Sequence, residues 1–155
     1  MLALGERVLI TLWVGAMWVV GYVAVPVLFN SLDDTRLAGN LAGELFKWVG
    51  VIGIVCGLLL LATVLTRASG QAKPVWKHGR VWLLVAMILL VLADFLMQHM
   101  LGLMKIGGLQ EGTQKAAEFA FLHGLASGLY LLNSLLGLVL VAVGTGRPLT
   151  APREA

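Results

Sequence analysis

Four long apolar blocks set the pattern of this chain: about Val8 to Phe29, Leu45 to Thr66, Val81 to Met104 and Phe119 to Val143. Each matches the length of about 20 residues that an α-helix needs to cross a hydrocarbon core of about 30 Å. A segment in lipid must pair its own backbone groups, so each block predicts a membrane-spanning helix. The first block is too long for the apolar core of a cleavable signal peptide and ends in no small-residue cleavage site, so it reads as a retained helix. Pro26, near its far end, predicts a kink or an exit from the helix.

The stretch SLDDTRLAGNLAGELFKW before the second block has a different pattern. Ser31 with Asp34 three residues later resembles a capping box. Leu37, Leu41, Leu45 and Trp48 then recur on one helical face, with Asp33, Arg36, Asn40, Glu44 and Lys47 opposite. This predicts an amphipathic interfacial segment bent at Gly39 or Gly43, or a continuous, tilted extension of the second span. RASGQAKPVWKHGR and KIGGLQEGTQKAAE read as polar loops, and residues 147–155 as a flexible tail. The expected architecture is all-α and integral to the membrane: one domain over residues 1–146, an antiparallel four-transmembrane-helix bundle with the amphipathic segment between its first two helices.

Composition agrees. Hydrophobic residues make up 59% of the chain and charged ones 12%, about half the charged share of a soluble domain. The net charge of +3 does not indicate nucleic acid, because the basic residues fall between the blocks and read as topology determinants. Arg7, Arg67, Lys73, Lys77, Arg80, Arg147 and Arg153 lie on one side, against Arg36, Lys47, Lys105 and Lys115 on the other, so the first side and both termini are expected in the cytoplasm. The single cysteine, Cys56, excludes an internal disulfide and a CxxC motif. The expected partner is the lipid bilayer, with a further membrane subunit or a homodimer as candidates and no nucleic acid. Gly53 and Gly57, and Gly124 and Gly128, have the spacing that lets membrane helices approach closely, within the chain or across a dimer seam.

Polar residues inside the spans are the candidates for function, since an ionisable group at mid-helix costs about 2.5–3.5 kcal/mol on insertion scales. Asp94 is near the centre of the third block with Gln98 one turn on, so Asp94 must face the bundle interior or be protonated. His123, Ser127, Tyr130 and Ser134 fall on one face of the fourth block, with Asn133 beside it. These polar positions serve either transport or hydrogen bonding between helices. His99 and His123 are expected at similar depth, and with Met100 and its neighbours Met97 and Met104 they suggest copper, or haem iron with two imidazole ligands. The bland alternative is that the methionines fill gaps in the core. His78, in the basic loop, reads as a solvated residue. Trp13, Trp18, Trp48, Trp76 and Trp82 mostly lie near span ends, as interfacial anchors do, with Trp13 and Trp18 deep enough to pack in the core. No P-loop, dinucleotide-binding glycine fingerprint, HExxH or Ser-His-Asp order is present, so enzyme activity has the weakest support.

Three segments carry a family resemblance. TLWVGAMWVVGYVAVPVLF resembles the first helix of the transmembrane-protein-205-like family, RLAGNLAGELF its following amphipathic segment, and FLHGLASGLYLLNSLLGL its final helix. The resemblance implies a four-helix membrane domain, flags Pro26, His123, Gly124, Ser127 and Asn133, and assigns no reaction. More distantly, the first helix is similar to those of four-helix membrane proteins linked to copper uptake and haem-pathway oxidation, although this one contains no histidine. The chain is therefore expected to be a small multi-pass protein of the bacterial inner membrane that binds or conducts a small cation or metal through a polar interior around Asp94, Gln98, His99 and His123. A non-catalytic accessory subunit and a haem-binding redox protein are the alternatives. Transport predicts a cavity beside Asp94 that reaches solvent, an accessory role a tightly packed interior, and haem a flat slot between the outer ends of the third and fourth helices.

Overall fold

The computed structural model describes residues 2–68, 79–106, 108 and 112–144. Among them every element is helical: α1 (Leu2–Val19), a π-helical turn (Val20–Ala24), α2 (Val25–Ser31), α3 (Thr35–Ala68), α4 (Gly79–Lys105) and α5 (Gln114–Val143). The π turn joins α1 to α2, and four units are long and apolar enough to cross a membrane, with mean hydropathies of 2.0 to 2.6. The protein is a multi-pass membrane protein. The second predicted loop is described only in part, and most of the first, with Lys73, Trp76, Lys77 and His78, lies outside the described residues. So does the predicted tail.

Neighbours in the chain pack as neighbours in space. α1 lies on α3, α3 on α4, α4 on α5, and α5 closes the ring against α1. At the centre Trp13 is 0% exposed. Its indole lies over Gly53 and Gly57 of α3, where an added Cβ would stand 2.7 Å from the indole Nε1 at Gly53 and 3.1 Å from the ring at Gly57. The two glycines thus make room for a large side chain, not for another backbone. Gly137 of α5 does the same for Met17 and Val14, 3.1 Å and 3.3 Å from its would-be Cβ. Gly124 and Gly128 have nothing within 4 Å of that position, so in this chain they mediate no close helix approach. Lipid is as apolar as the side chains it would replace, so helix association here rests on such close packing and on hydrogen bonds.

Two local features shape one end of the bundle. Pro26 stands in the first turn of α2, directly after the π turn, where Val25 N–H reaches back five residues to Val20 O. Proline donates no hydrogen bond and crowds the carbonyl four residues before it, here that of Tyr22, and a widened turn relieves the crowding. The other feature is the start of α3. Asp34 caps it, its Oδ1 accepting from Arg36 N (2.8 Å) and Leu37 N (3.2 Å). Ser31 remains inside α2, so the helix start lies three residues beyond the Ser31 box; the carboxylate that would complete the box serves as the cap. α3 then runs for 34 residues without a break at Gly39 or Gly43. At 1.5 Å per residue it is about 50 Å long, well over the hydrocarbon thickness, so its amphipathic first turns extend beyond the membrane core.

Candidate ligand-binding cavity

The half of the bundle containing the α3 N-terminus and the α4 C-terminus is not closed. α2 packs on α3 with no comparable packing on α5, and a cavity of about 820 Å³ lies between them. It opens outward, since Thr35, Arg36, His123 and Ser127 line it and are exposed.

Helical periodicity places its walls. On α4, Asp94, Gln98, Leu101 and Lys105 follow one another at four- and three-residue steps down one face. Over those eleven residues the helix rises roughly 16 Å, which sets the depth of the site from Asp94 to Lys105. From α5 come Phe119, His123, Ala126, Ser127 and Tyr130, from the π turn and α2 come Gly21, Tyr22, Val25 and Phe29, and from α3 come Arg36, Gly39, Gly43 and Phe46.

The inner end is polar and fixed. Tyr130 donates to Met17 O at 2.6 Å, and its ring meets Phe46 edge-on with centroids 5.0 Å apart. A Cβ at Gly21 would collide with the Tyr130 ring, so a glycine is required there. The Tyr22 hydroxyl is 2.7 Å from Ser134 Oγ, which itself donates to Leu131 O at 2.8 Å, so Tyr22 is the donor. Asp94 Oδ1 is buried with no hydrogen-bond partner. Below it a void of about 10 Å³, the size of one water, is lined by Asp94, Tyr130, Asn133 and Trp13. Asn133 is 4% exposed; its amide reaches Met17 Sδ at 3.5 Å and its Oδ1 is unpartnered. Beyond that void Leu60, Leu84, Met87 and Leu140 are fully buried, and the cavity ends.

The outer end is basic. Lys105 Nζ donates to Gly39 O at 3.1 Å, and Arg36 lies one turn earlier on α3. Neither cation is in a salt bridge among the described residues. The middle of the site is apolar and aromatic, with Val25, Phe29, Leu101 and Phe119, the last stacked on His123 at 6.0 Å.

The structure thus gathers Asp94, Gln98, His123, Ser127 and Tyr130 around one space, places Ser134 and Asn133 behind it, and leaves His99 and Met100 out. His99 is exposed and Met100 is 52% exposed, both off the cavity face of α4. Among the described residues no group of three or more His, Cys, Asp or Glu side chains is placed to hold a metal ion. Sequence reasoning passed over Arg36 and Lys105 as site residues, along with the aromatic wall. The repeat of Asp94, Gln98, Leu101 and Lys105 on one face was the available signal. It also passed over Glu6, 3% exposed on the face of α1 that carries Ile10, Trp13 and Met17.

Fold and site together define a four-helix integral membrane protein with a one-ended, amphipathic cavity in half of its bundle. The chain belongs to the family described as domain of unknown function DUF4149, whose model matches residues 8–108. The match spans most of α1 through α4, and the α5 wall of the cavity falls outside it. Comparison with curated proteins found no match. Comparison with solved structures found none either.

Proposed function

We propose that the protein is a membrane-embedded binding protein that takes a small molecule into this cavity, with Asp94 as the polar anchor at its inner end. The observation that carries the reading is the pairing of a space of about 820 Å³, within the usual size range of ligand sites, with a buried, unpartnered carboxylate oxygen at its floor. Such an oxygen is costly to leave unsatisfied and accepts from a hydroxyl, amide or ammonium group of a ligand. Conduction of an ion has less support, because the cavity stops at Asp94 and Tyr130 above a packed core. A metal cargo would fall to Asp94, Gln98 and His123, a set poorer in donors than metal sites use. With the basic side of the chain in the bacterial cytoplasm, the cavity opens to the outer face of the inner membrane.

Native mass spectrometry of protein extracted in mild detergent tests the reading. Gly43 lines the cavity with nothing within 4 Å of its would-be Cβ, so Gly43→Phe fills the space without a clash at that first atom. The wild type is expected to carry a non-protein, non-detergent mass that is lost in Gly43→Phe and depleted in Asp94→Leu. A wild type that carries nothing, or a mass that survives in Gly43→Phe, would sink the proposal.

A further inference from the structure

Resting on that reading of the cavity as a ligand site, we infer that its ligand class is an amphiphile with an anionic head, a carboxylate or phosphate, held by Arg36 and Lys105 while its apolar body lies inward along Phe29, Phe46 and Phe119. Three independent observations converge. The first is charge: two basic side chains, Arg36 of α3 and Lys105 of α4, line the outer end, with no carboxylate paired to either among the described residues. Lys105 uses one of its three donors on Gly39 O, leaving two. Both residues lie at helix ends, Arg36 in the first turn of α3 and Lys105 the last residue of α4, the depth at which headgroups of a bilayer reside. Arginine and lysine side chains form their strongest hydrogen bonds with anionic oxygens.

The second observation is the lining. Between the basic outer end and Asp94, over roughly 16 Å of helix rise, the walls are mainly apolar and aromatic, with Gln98, His123 and Ser127 as the polar interruptions. Water against the Val25, Phe29, Phe46, Leu101 and Phe119 walls lacks polar partners, so an apolar chain suits that part of the space better. The third is access. α2 lies on α3 with no comparable packing on α5, so the cavity is open along the α2–α5 seam, where Phe29 and Leu131 are half-exposed. A bilayer-dissolved chain enters there without passing its apolar part through water. At the inner end Asp94 Oδ1 is placed to accept from a hydroxyl on the far end of the chain.

The test uses the full chain in phosphatidylcholine nanodiscs, with radiolabelled laurate as the probe and empty nanodiscs as the partitioning background. Saturable laurate binding above that background is expected. It should resist dodecyltrimethylammonium and dodecyl maltoside and yield to unlabelled ω-hydroxylaurate at lower concentration than to laurate itself. The Arg36→Gln/Lys105→Gln double variant is expected to weaken binding by about tenfold or more, as loss of charge-assisted contacts does, and Arg36→Lys to retain most of it. Should the double variant fail to fold, the competition on the wild type still decides. Displacement by dodecyltrimethylammonium as readily as by laurate would overturn the anionic-head assignment, and the cavity reading would stand on the mass-spectrometric result. Absence of saturable binding of both laurate and dodecyl phosphate would overturn it also, and if Gly43→Phe then left the co-purifying mass unchanged the cavity reading would fall with it. Dodecyl phosphate binding in place of laurate would keep the class and identify the head as phosphate.

Discussion

Trp13 shows how a single residue organises this bundle. An indole that is 0% exposed in a membrane helix needs a recess, and Gly53 and Gly57 on α3 supply it. Gly53→Ala places a methyl 2.7 Å from the indole nitrogen and forces the ring to move. A loss of about 1–3 kcal/mol is expected, the usual cost of overpacking a filled core. Gly124→Ala meets nothing within 4 Å and should be neutral or slightly stabilising, by up to about 1 kcal/mol from helix propensity alone. Detergent-titrated unfolding of both variants separates them, and equal destabilisation would contradict the packing described. Trp48 and Trp82, by contrast, are more than half exposed, as residues anchored at an interface are. Glu6 belongs to the same scale. Its spacing to Ile10, Trp13 and Met17 places it on the buried face of α1, yet it precedes the apolar block and so escapes a reading that begins at Val8.

Single elements decide how the site is framed. The π turn widens the first span just where Gly21 and Tyr22 meet Tyr130 and Ser134, so the shape of the cavity floor depends on one irregular turn before Pro26. Apolar periodicity reports such a turn poorly, because one extra residue in a span that is apolar on all sides changes no pattern. The start of α3 is the second case. Asp34→Ala removes the acceptor of Arg36 N and Leu37 N and is expected to cost about 1 kcal/mol. Hydrogen exchange should then rise over the first turn of α3, about residues 36–39, and stay unchanged in α4. Unchanged exchange at Arg36 would mean that the cap contributes little to holding the cavity entrance. Because Arg36 is in that turn, laurate binding should weaken in step.

At the scale of the whole molecule, charge distribution sets orientation and the ring of helices sets the site. The basic residues on the side of the termini predict that side to be cytoplasmic. In intact cells, a membrane-impermeant maleimide should label Asp33→Cys and spare Ala155→Cys until the cells are lysed; the native Cys56 is buried and stays silent. The reverse pattern would invert the topology and with it the face to which the cavity opens. The same ring explains why His99 and His123 part company. Both histidines are near one end of their helices, but depth fixes only one coordinate. Rotation about each helix axis turns His123 to the cavity and His99 away from it.

Length and hydropathy by themselves determine that this chain crosses a membrane as four helices, because a polar backbone in lipid has no other way to satisfy itself. They also pick out Asp94, Gln98, Ser127, Tyr130 and Asn133, with His99 and His123, as candidate interior polar groups, since such groups are costly in lipid; His99 is exposed and off the cavity. The tertiary structure alone decides the rest: that α2 packs on α3 and not comparably on α5, beside a cavity, that Arg36 and Lys105 both line its outer end, and that Gly53 and Gly57 receive an indole while Gly124 and Gly128 receive nothing. The physical reason is that lipid and a packed helix are nearly equivalent surroundings for an apolar side chain. Which apolar face meets which, and where two helices separate, is therefore set by the fit of side chains across the bundle, and hydropathy does not record it.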